Sequence, residues 1–258
     1  MNFFEILLLS FIEGLTEFLP ISSTGHLILT SSFLHLDNPE FVKSFNIIIQ
    51  FGAILSVLVL YWKNFLPNFD FYKKLFIAFL PAAFIGLMLK DIIDQILGSV
   101  QIVAWSLVLG GLVLVLSDRL FKKTGTIKLN SLPLSGYLKL GLIQCLAFIP
   151  GVSRSAATII GGMHLGLSKK ESAEFSFFLA VPTLAGASFI KSLKIIPSIE
   201  GNQIQTLLLG LLFSFAFALI AIRFFIRLVS TYGFFHFGVY RIVLGGLILI
   251  LIYGGYVS

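Results

Sequence analysis

The stretch Glu13-Gly-Leu-Thr-Glu-Phe-Leu-Pro-Ile-Ser-Ser-Thr-Gly-His26 lies in an N-terminal region that is otherwise almost wholly apolar. It brings two carboxylates, three adjacent hydroxyl groups and an imidazole close to a proline. Ordinary membrane packing gives no reason for this set, and ionisable groups at membrane depth are costly enough to indicate a function. Pro20 ends the preceding helix, because proline lacks the backbone N–H and clashes with the previous turn. The stretch therefore predicts a broken helix that carries a site.

The composition around this stretch is that of a membrane protein. Of the 258 residues, 57% are hydrophobic and 12% are charged, and the mean hydropathy is +1.01. Soluble domains carry roughly 25% charged residues. Several apolar runs approach the ~20 residues that a helix needs to cross a bilayer, and runs without alternation do not suit a β-barrel. We therefore expect an all-α polytopic membrane protein, with residues 1–258 in a single membrane domain.

The net charge of +6 does not indicate a nucleic-acid partner in such a protein. Lys and Arg collect in the cytoplasmic loops of membrane proteins, and the loops on the two sides hold four and twelve of them. This count places residue 1 and the mouth of the first hairpin on the outer face of the membrane.

The chain repeats one order of elements in two halves. The first half predicts short helices at 3–19 and 24–35 and spans at about 41–62, 75–90 and 99–118. The second predicts an apolar run at 137–149, a short helix to about Leu167 and spans at about 172–190, 206–226 and 237–254. Phe18-Leu19-Pro20 matches Phe148-Ile149-Pro150 at an offset of 130. An odd number of crossings inverts the second half. We predict about six transmembrane helices plus two re-entrant helical hairpins in an inverted-topology repeat (repeat 1 about 1–125, repeat 2 about 131–258).

Glu13 and Glu17 are four residues apart and project from one helix face. Two like charges in apolar surroundings repel each other, and a divalent cation or a cationic side chain relieves that repulsion. Hard carboxylate oxygens suit Mg²⁺ or Ca²⁺, so both residues are candidate metal ligands. The alternative is a polar helix face that neighbouring helices satisfy.

Ser22, Ser23 and Thr24 open the second short helix. The first N–H groups and the dipole of a helix favour an anion such as phosphate, although the hydroxyls could serve as helix caps alone. Ser23 and His26 are three residues apart on one face. This spacing permits a serine activated by imidazole, or a histidine that acts as general acid or base.

Arg154 follows the second break, in Pro-Gly-Val-Ser-Arg-Ser. Its planar guanidinium is a bidentate reader of phosphate, and Ser153 and Ser155 add donors. The alternative for Arg154 is snorkelling to the membrane interface.

Three further polar side chains lie at membrane depth in the predicted spans and hairpins. Gln50 and Thr158 either line a substrate-binding cavity or hydrogen-bond between helices. Arg241 either balances membrane charge or contacts a ligand, and we leave it outside the predicted site. The combined set suits phosphoryl chemistry, in which cations neutralise phosphate oxygens while a nucleophile attacks in line. A site within the bilayer implies a lipid-borne phosphate.

Two motifs, Glu13 to His26 and Pro150-Gly-Val-Ser-Arg-Ser-Ala-Ala-Thr158, resemble the bacitracin-resistance (BacA/UppP) family of undecaprenyl-pyrophosphate phosphatases. The resemblance implies hydrolysis of undecaprenyl pyrophosphate to the monophosphate, dependence on a divalent cation and recycling of the lipid carrier for cell-wall synthesis. It also implies a place in the bacterial cytoplasmic (inner) membrane, an active site that opens to the outer face, and bacitracin resistance on overproduction. By the same resemblance, Glu13 and Glu17 bind metal or act in acid–base chemistry, Ser23 is the nucleophile, His26 its helper and Arg154 the pyrophosphate clamp.

The sequence leaves several alternatives open. It does not decide between a phosphoserine intermediate and direct attack by water. A lipid transporter or flippase is a second hypothesis, because inverted repeats with broken helices are common in secondary transporters. The expected partners are the lipid substrate and membrane lipids, and a homodimer is as compatible with the sequence as a monomer.

Overall fold

The computed structural model describes residues 1–34, 36, 39–96, 98–121, 125, 127–195 and 201–255. Over these residues the chain forms eleven α-helices and no strand. In chain order they are α1 Phe3–Thr16, α2 Ser23–Phe33, α3 Pro39–Leu60, α4 Phe69–Met88, α5 Lys90–Ile96, α6 Val100–Leu120, α7 Leu134–Gln144, α8 Arg154–His164, α9 Lys169–Ile195, α10 Gly201–Tyr232 and α11 Phe235–Tyr253. The all-α prediction is confirmed.

Six helices of the described chain are long and apolar enough to cross a membrane. They cover Glu40–Leu60, Phe69–Met88, Val100–Leu120, Lys169–Ile190, Gln203–Tyr232 and Phe235–Tyr253. Each overlaps one of the six predicted spans. The chain is therefore a multi-pass helical membrane protein.

The predicted boundaries differ from the observed ones where capping residues decide the helix ends. The second span begins at Phe69 rather than near residue 75, because the Asn68 side chain accepts the Phe71 N–H at 3.2 Å and caps the helix. The short helix Lys90–Ile96 was not predicted at all. Its seven residues are fewer than the roughly 11–18 that a reading of periodicity needs, so the sequence does not distinguish it from a loop.

Two breaks separate the short helices of each half. The first short helix ends at Thr16 rather than at residue 19, and the chain turns through residues 17–22 before α2 begins. The second break follows a 3₁₀ turn at Cys145–Phe148 and ends where α8 begins at Arg154. Ser22 and Ser153 occupy corresponding positions in the two breaks, with φ of 71° and 73°. Non-glycine residues rarely adopt this left-handed conformation, and it clusters at functional sites.

Glycines allow the short helices to approach the spans closely. A Cβ at Gly14 of α1 would lie 2.6 Å from the Ser214 carbonyl oxygen of α10. A Cβ at Gly141 of α7 would clash with the Ala78 carbonyl oxygen of α4. The spans pack against one another as α3 with α10 and α9, and as α6 with α11. This packing buries the two breaks inside the helix bundle.

Candidate active site

Glu17 is the residue that joins the two breaks at the site. Its side chain lies at the end of α1 and is 7% exposed. One carboxylate oxygen, Oε2, accepts the Ser23 hydroxyl at 2.5 Å, and the other, Oε1, accepts Nη2 of Arg154 at 3.1 Å. A single carboxylate thus binds the hydroxyl at the start of α2 and the guanidinium at the start of α8.

The Arg154 guanidinium is held from its other side by α9. Its Nη1 donates to the Ser176 carbonyl oxygen at 2.8 Å and to the Ser176 hydroxyl at 3.3 Å. Thr158 donates to the same hydroxyl at 2.7 Å, and the guanidinium lies 6.0 Å from the centre of the Phe18 ring. Arg154 is therefore held between Glu17 and α9 inside the bundle.

Two atoms of the site are buried without a hydrogen-bond partner in the described part of the chain. They are Oε1 of Glu13, whose side chain is 1% exposed, and Nε of Arg154. Buried polar atoms are nearly always hydrogen-bonded in folded proteins. An acceptor and a donor left open in one site are therefore available to a cation and to an anionic ligand.

The carboxylates fit a divalent cation that is completed by its ligand. Glu13 lies within electrostatic range of both Glu17 and Arg154. The described residues hold no cluster of three or more His, Cys, Asp or Glu side chains that could bind a metal on their own. Mg²⁺ usually takes one or two carboxylates and fills its other positions with water and substrate phosphates. Glu13 and Glu17 meet that requirement.

His26 does not share a hydrogen bond with Ser23 among the described contacts, in contrast to the pair that the sequence predicted. Its Nδ1 lies 2.8 Å from the Ser22 carbonyl oxygen, and its Nε2 lies 2.6 Å from the Tyr240 hydroxyl of α11. A carbonyl only accepts, so Nδ1 carries a proton, and Nε2 shares a hydrogen bond with the Tyr240 hydroxyl. The Ser23 hydroxyl is paired with Glu17 instead.

The predicted hydroxyls of the two breaks have different roles in the structure. Ser155 donates to the Leu19 carbonyl oxygen at 2.8 Å, and Ser153 lies 2.9 Å from Ser155. These contacts tie the second break to the first. The Ser22 hydroxyl lies 3.4 Å from the Gly25 N–H, at the start of α2, and Thr24 is exposed.

Gln50 lies in a contact between two spans. Its amide oxygen accepts the Ser188 hydroxyl at 2.7 Å and so links α3 to α9. This is the interhelical alternative of the two that the sequence left open, and a role in substrate binding stays a prediction.

Comparisons with known proteins show the family of this chain. The family model described as "Bacitracin resistance protein BacA" matches residues 6–247, a range that includes both breaks. The chain belongs to the BacA family. A BacA relative from Bdellovibrio bacteriovorus, named undecaprenyl-diphosphatase, is 55% identical over 99% of this chain and 98% of its own length.

More distant BacA relatives carry the same name. The protein from Flavobacterium johnsoniae is 47% identical over 98% of this chain and 97% of its own length. The protein from Aquifex aeolicus is 41% identical over 95% of this chain and 96% of its own length. The similarity thus extends over the whole bundle and is not confined to the two motifs.

The sequence analysis missed two side chains of the BacA site, Ser176 and Tyr240. Both lie in apolar spans, where a single hydroxyl is a weak signal because it often bonds within its own helix. Their contacts with Arg154 and His26 connect segments that are far apart in the chain. Only the tertiary structure reveals those contacts.

Proposed function

We propose that this chain is an undecaprenyl-diphosphatase, a membrane phosphatase that hydrolyses undecaprenyl pyrophosphate to undecaprenyl phosphate and inorganic phosphate. The observation that carries the proposal is the double contact of Glu17, which binds a candidate nucleophile through one oxygen and a candidate phosphate clamp through the other. The printed names of the BacA relatives supply the substrate.

The reaction begins at the hydroxyl of Ser23. Its Oγ attacks the terminal phosphorus while Glu17 Oε2, which already accepts its proton at 2.5 Å, takes that proton as general base. The bond between the terminal phosphorus and the bridging oxygen breaks, and undecaprenyl phosphate leaves with the bonding electron pair. Water then hydrolyses the phosphoserine and regenerates the hydroxyl. In the alternative course, Glu17 activates a water that attacks the same phosphorus directly.

Arg154 and the helix starts neutralise the charge of the diphosphate. The open Nε of Arg154 is available to a phosphate oxygen, and the N-termini of α2 and α8 both lie at the breaks, where their N–H groups favour an anion. These groups are fixed before substrate arrives, so they need little reorganisation as charge develops in the transition state.

Glu13 and Glu17 would hold the divalent cation, Mg²⁺ or Ca²⁺. When bound, the cation supplies charge neutralisation on the diphosphate oxygens. Without a cation, the two carboxylates would repel a polyanionic substrate. His26 and Tyr240 keep the start of α2 in place, since His26 bonds the Ser22 carbonyl oxygen beside Ser23.

The topology proposed with this function is an inverted repeat with two re-entrant hairpins, α1–α2 and α7–α8. The packing supports it. The first helix of each half packs on the fourth helix of the other half, as α1 with α10 and α7 with α4. The counterparts α3 and α9, and α6 and α11, pack on each other. A two-fold axis in the membrane plane would relate the α1–α10 contact to the α7–α4 contact in this way.

The proposed location is the bacterial inner membrane, with the site open to the outer face. There the enzyme would return the lipid carrier to cell-wall synthesis, and its overproduction would confer bacitracin resistance. The excess of Lys and Arg on the opposite side of the membrane supports this orientation.

The test is phosphate release by the purified full-length protein in detergent, from undecaprenyl pyrophosphate and from farnesyl pyrophosphate, with and without EDTA. We expect release that EDTA abolishes and that Mg²⁺ or Ca²⁺ restores. A monodisperse preparation that binds the lipid but releases no phosphate would contradict the phosphatase proposal and favour the lipid-transport hypothesis.

A further inference from the structure

Arg241 has every donor of its guanidinium engaged by backbone carbonyls. Its side chain is fully buried in α11, at 0% exposure. Nε donates to Leu107 O at 3.4 Å and Nη2 to Ser106 O at 3.0 Å, both in α6. A guanidinium has five N–H donors, so three donors remain besides these two.

Those three donors bind the two breaks of the site. Nη1 donates to Pro20 O and to Val152 O, both at 3.0 Å, and Nη2 donates to Gly151 O at 2.8 Å. A single nitrogen, Nη1, therefore holds one carbonyl from each break. Pro20 precedes the Ser22 turn and Val152 precedes the Ser153 turn, the two positions with positive φ.

We propose that Arg241 is a positioning residue for the reaction: it locks the two strained turns against each other and thereby sets Ser23 opposite Arg154. The proposal rests on the phosphatase function above. Unpaired backbone carbonyls at a helix break need donors when they are buried. Arg241 supplies them from a third element, α11, which contributes neither Ser23 nor Arg154.

The five carbonyls around Arg241 require the planar guanidinium of arginine, which holds five N–H donors in a fixed arrangement. Lysine would keep the positive charge but offers three donors from one nitrogen, so it cannot reach five carbonyls on three segments. The space is also limited, because a Cβ at Gly110 of α6 would collide with Nη2 of Arg241. Alanine at position 110 would therefore displace the guanidinium while leaving Arg241 in the chain.

The experiment compares Arg241→Lys and Gly110→Ala with two matched controls. Arg227→Lys makes the same change at an exposed position of α10. Gly246→Ala makes the other change in α11, where an added Cβ meets no described atom within 4 Å. Each variant is purified to a monodisperse peak, and kcat and KM for farnesyl pyrophosphate are measured per folded protein.

We expect kcat to fall about tenfold or more in both test variants, since a small misplacement of reacting groups costs up to ~100-fold. KM should stay within about threefold, and both controls should match the wild type. A purely structural role would lower the yield of folded protein without changing kcat. If Arg241→Lys fails to fold, Gly110→Ala decides, since alanine favours the helix.

A folded Arg241→Lys or Gly110→Ala protein with wild-type kcat would overturn the positioning role. Full activity of the lysine variant would show that only the buried charge matters. Because every value is relative to an active wild type, these results are separate from the test of the phosphatase itself.

Discussion

At the residue scale, the proposed role of Glu17 depends on its two carboxylate oxygens, each of which accepts a hydrogen bond from a different segment. Oε2 accepts from Ser23 while Oε1 accepts from Arg154. In the proposed reaction, Oε2 is therefore placed to accept the serine proton. That placement depends on Arg154 and therefore on the second half of the chain.

Replacement of Ser23 by alanine tests whether this hydroxyl is the nucleophile. We expect Ser23→Ala to lower kcat by about 10³-fold or more, because the attacking atom is lost. Phosphate release under saturating farnesyl pyrophosphate measures the effect, with Ser230→Ala at an exposed position of α10 as the control. Turnover within about tenfold of the wild type would assign the attack to water.

Replacement of Ser176 by alanine tests the support of Arg154. The change removes the hydroxyl that Thr158 and Arg154 share but keeps the carbonyl that holds Nη1. We expect KM to rise about threefold, and to rise much more in Arg154→Ala, which removes a group that binds both the ground and the transition state. Equal KM values for Ser176→Ala and the wild type would show that the carbonyl alone suffices.

Replacement of Tyr240 by phenylalanine tests the placement of His26. Without the hydroxyl, Nε2 loses its 2.6 Å partner, and we expect kcat to fall about tenfold, on the scale of a lost orienting group. Tyr253→Phe, at an exposed position of α11, is the control. An unchanged kcat in Tyr240→Phe would confine Tyr240 to packing.

At the scale of single residues, the sequence identified the site's charged and nucleophilic members but not their pairing. Carboxylates, hydroxyls and Arg154 stand out in apolar surroundings, so composition alone reveals them. The partner of Ser23 could not be read from spacing, because the turn between Glu17 and Ser23 brings them together across the break. The local i to i+3 spacing pointed to His26 instead.

At the scale of elements, each break replaces helix with a turn. The turn between α1 and α2 brings the Ser23 hydroxyl to Glu17. Pro20 made the first break predictable, and Pro150-Gly151 the second. The positive φ of Ser22 and Ser153 was not predictable, since serine has no local preference for that region and tertiary bonds must hold it there.

The close approach of α1 to α10 makes a prediction at this scale. Gly14→Ala would place a Cβ 2.6 Å from the Ser214 carbonyl oxygen, and we expect a loss of about 1–3 kcal/mol of stability from overpacking. The thermal midpoint in detergent measures it, with Gly186→Ala as control because its Cβ meets no described atom within 4 Å. An equal midpoint for both variants would show that the contact relaxes at no cost.

At the scale of the whole molecule, the two halves of the chain each contribute one part of a single site. The first half supplies the carboxylates and the serine, and the second supplies Arg154 and its support from Ser176. The number and approximate positions of the spans were predictable from hydropathy, since a bilayer fixes the length of a spanning helix. The contacts between halves depend on side-chain packing, which hydropathy does not encode.

The measurement that tests the central claim most directly is cation-dependent phosphate release by wild type and Glu17→Ala, assayed together on undecaprenyl pyrophosphate with Glu40→Ala as an exposed carboxylate control. The account predicts release in wild type and control that EDTA abolishes. It predicts at least a ~100-fold loss in Glu17→Ala, because the general base and a metal ligand are removed together. A folded Glu17→Ala protein with wild-type, cation-dependent turnover would contradict the account.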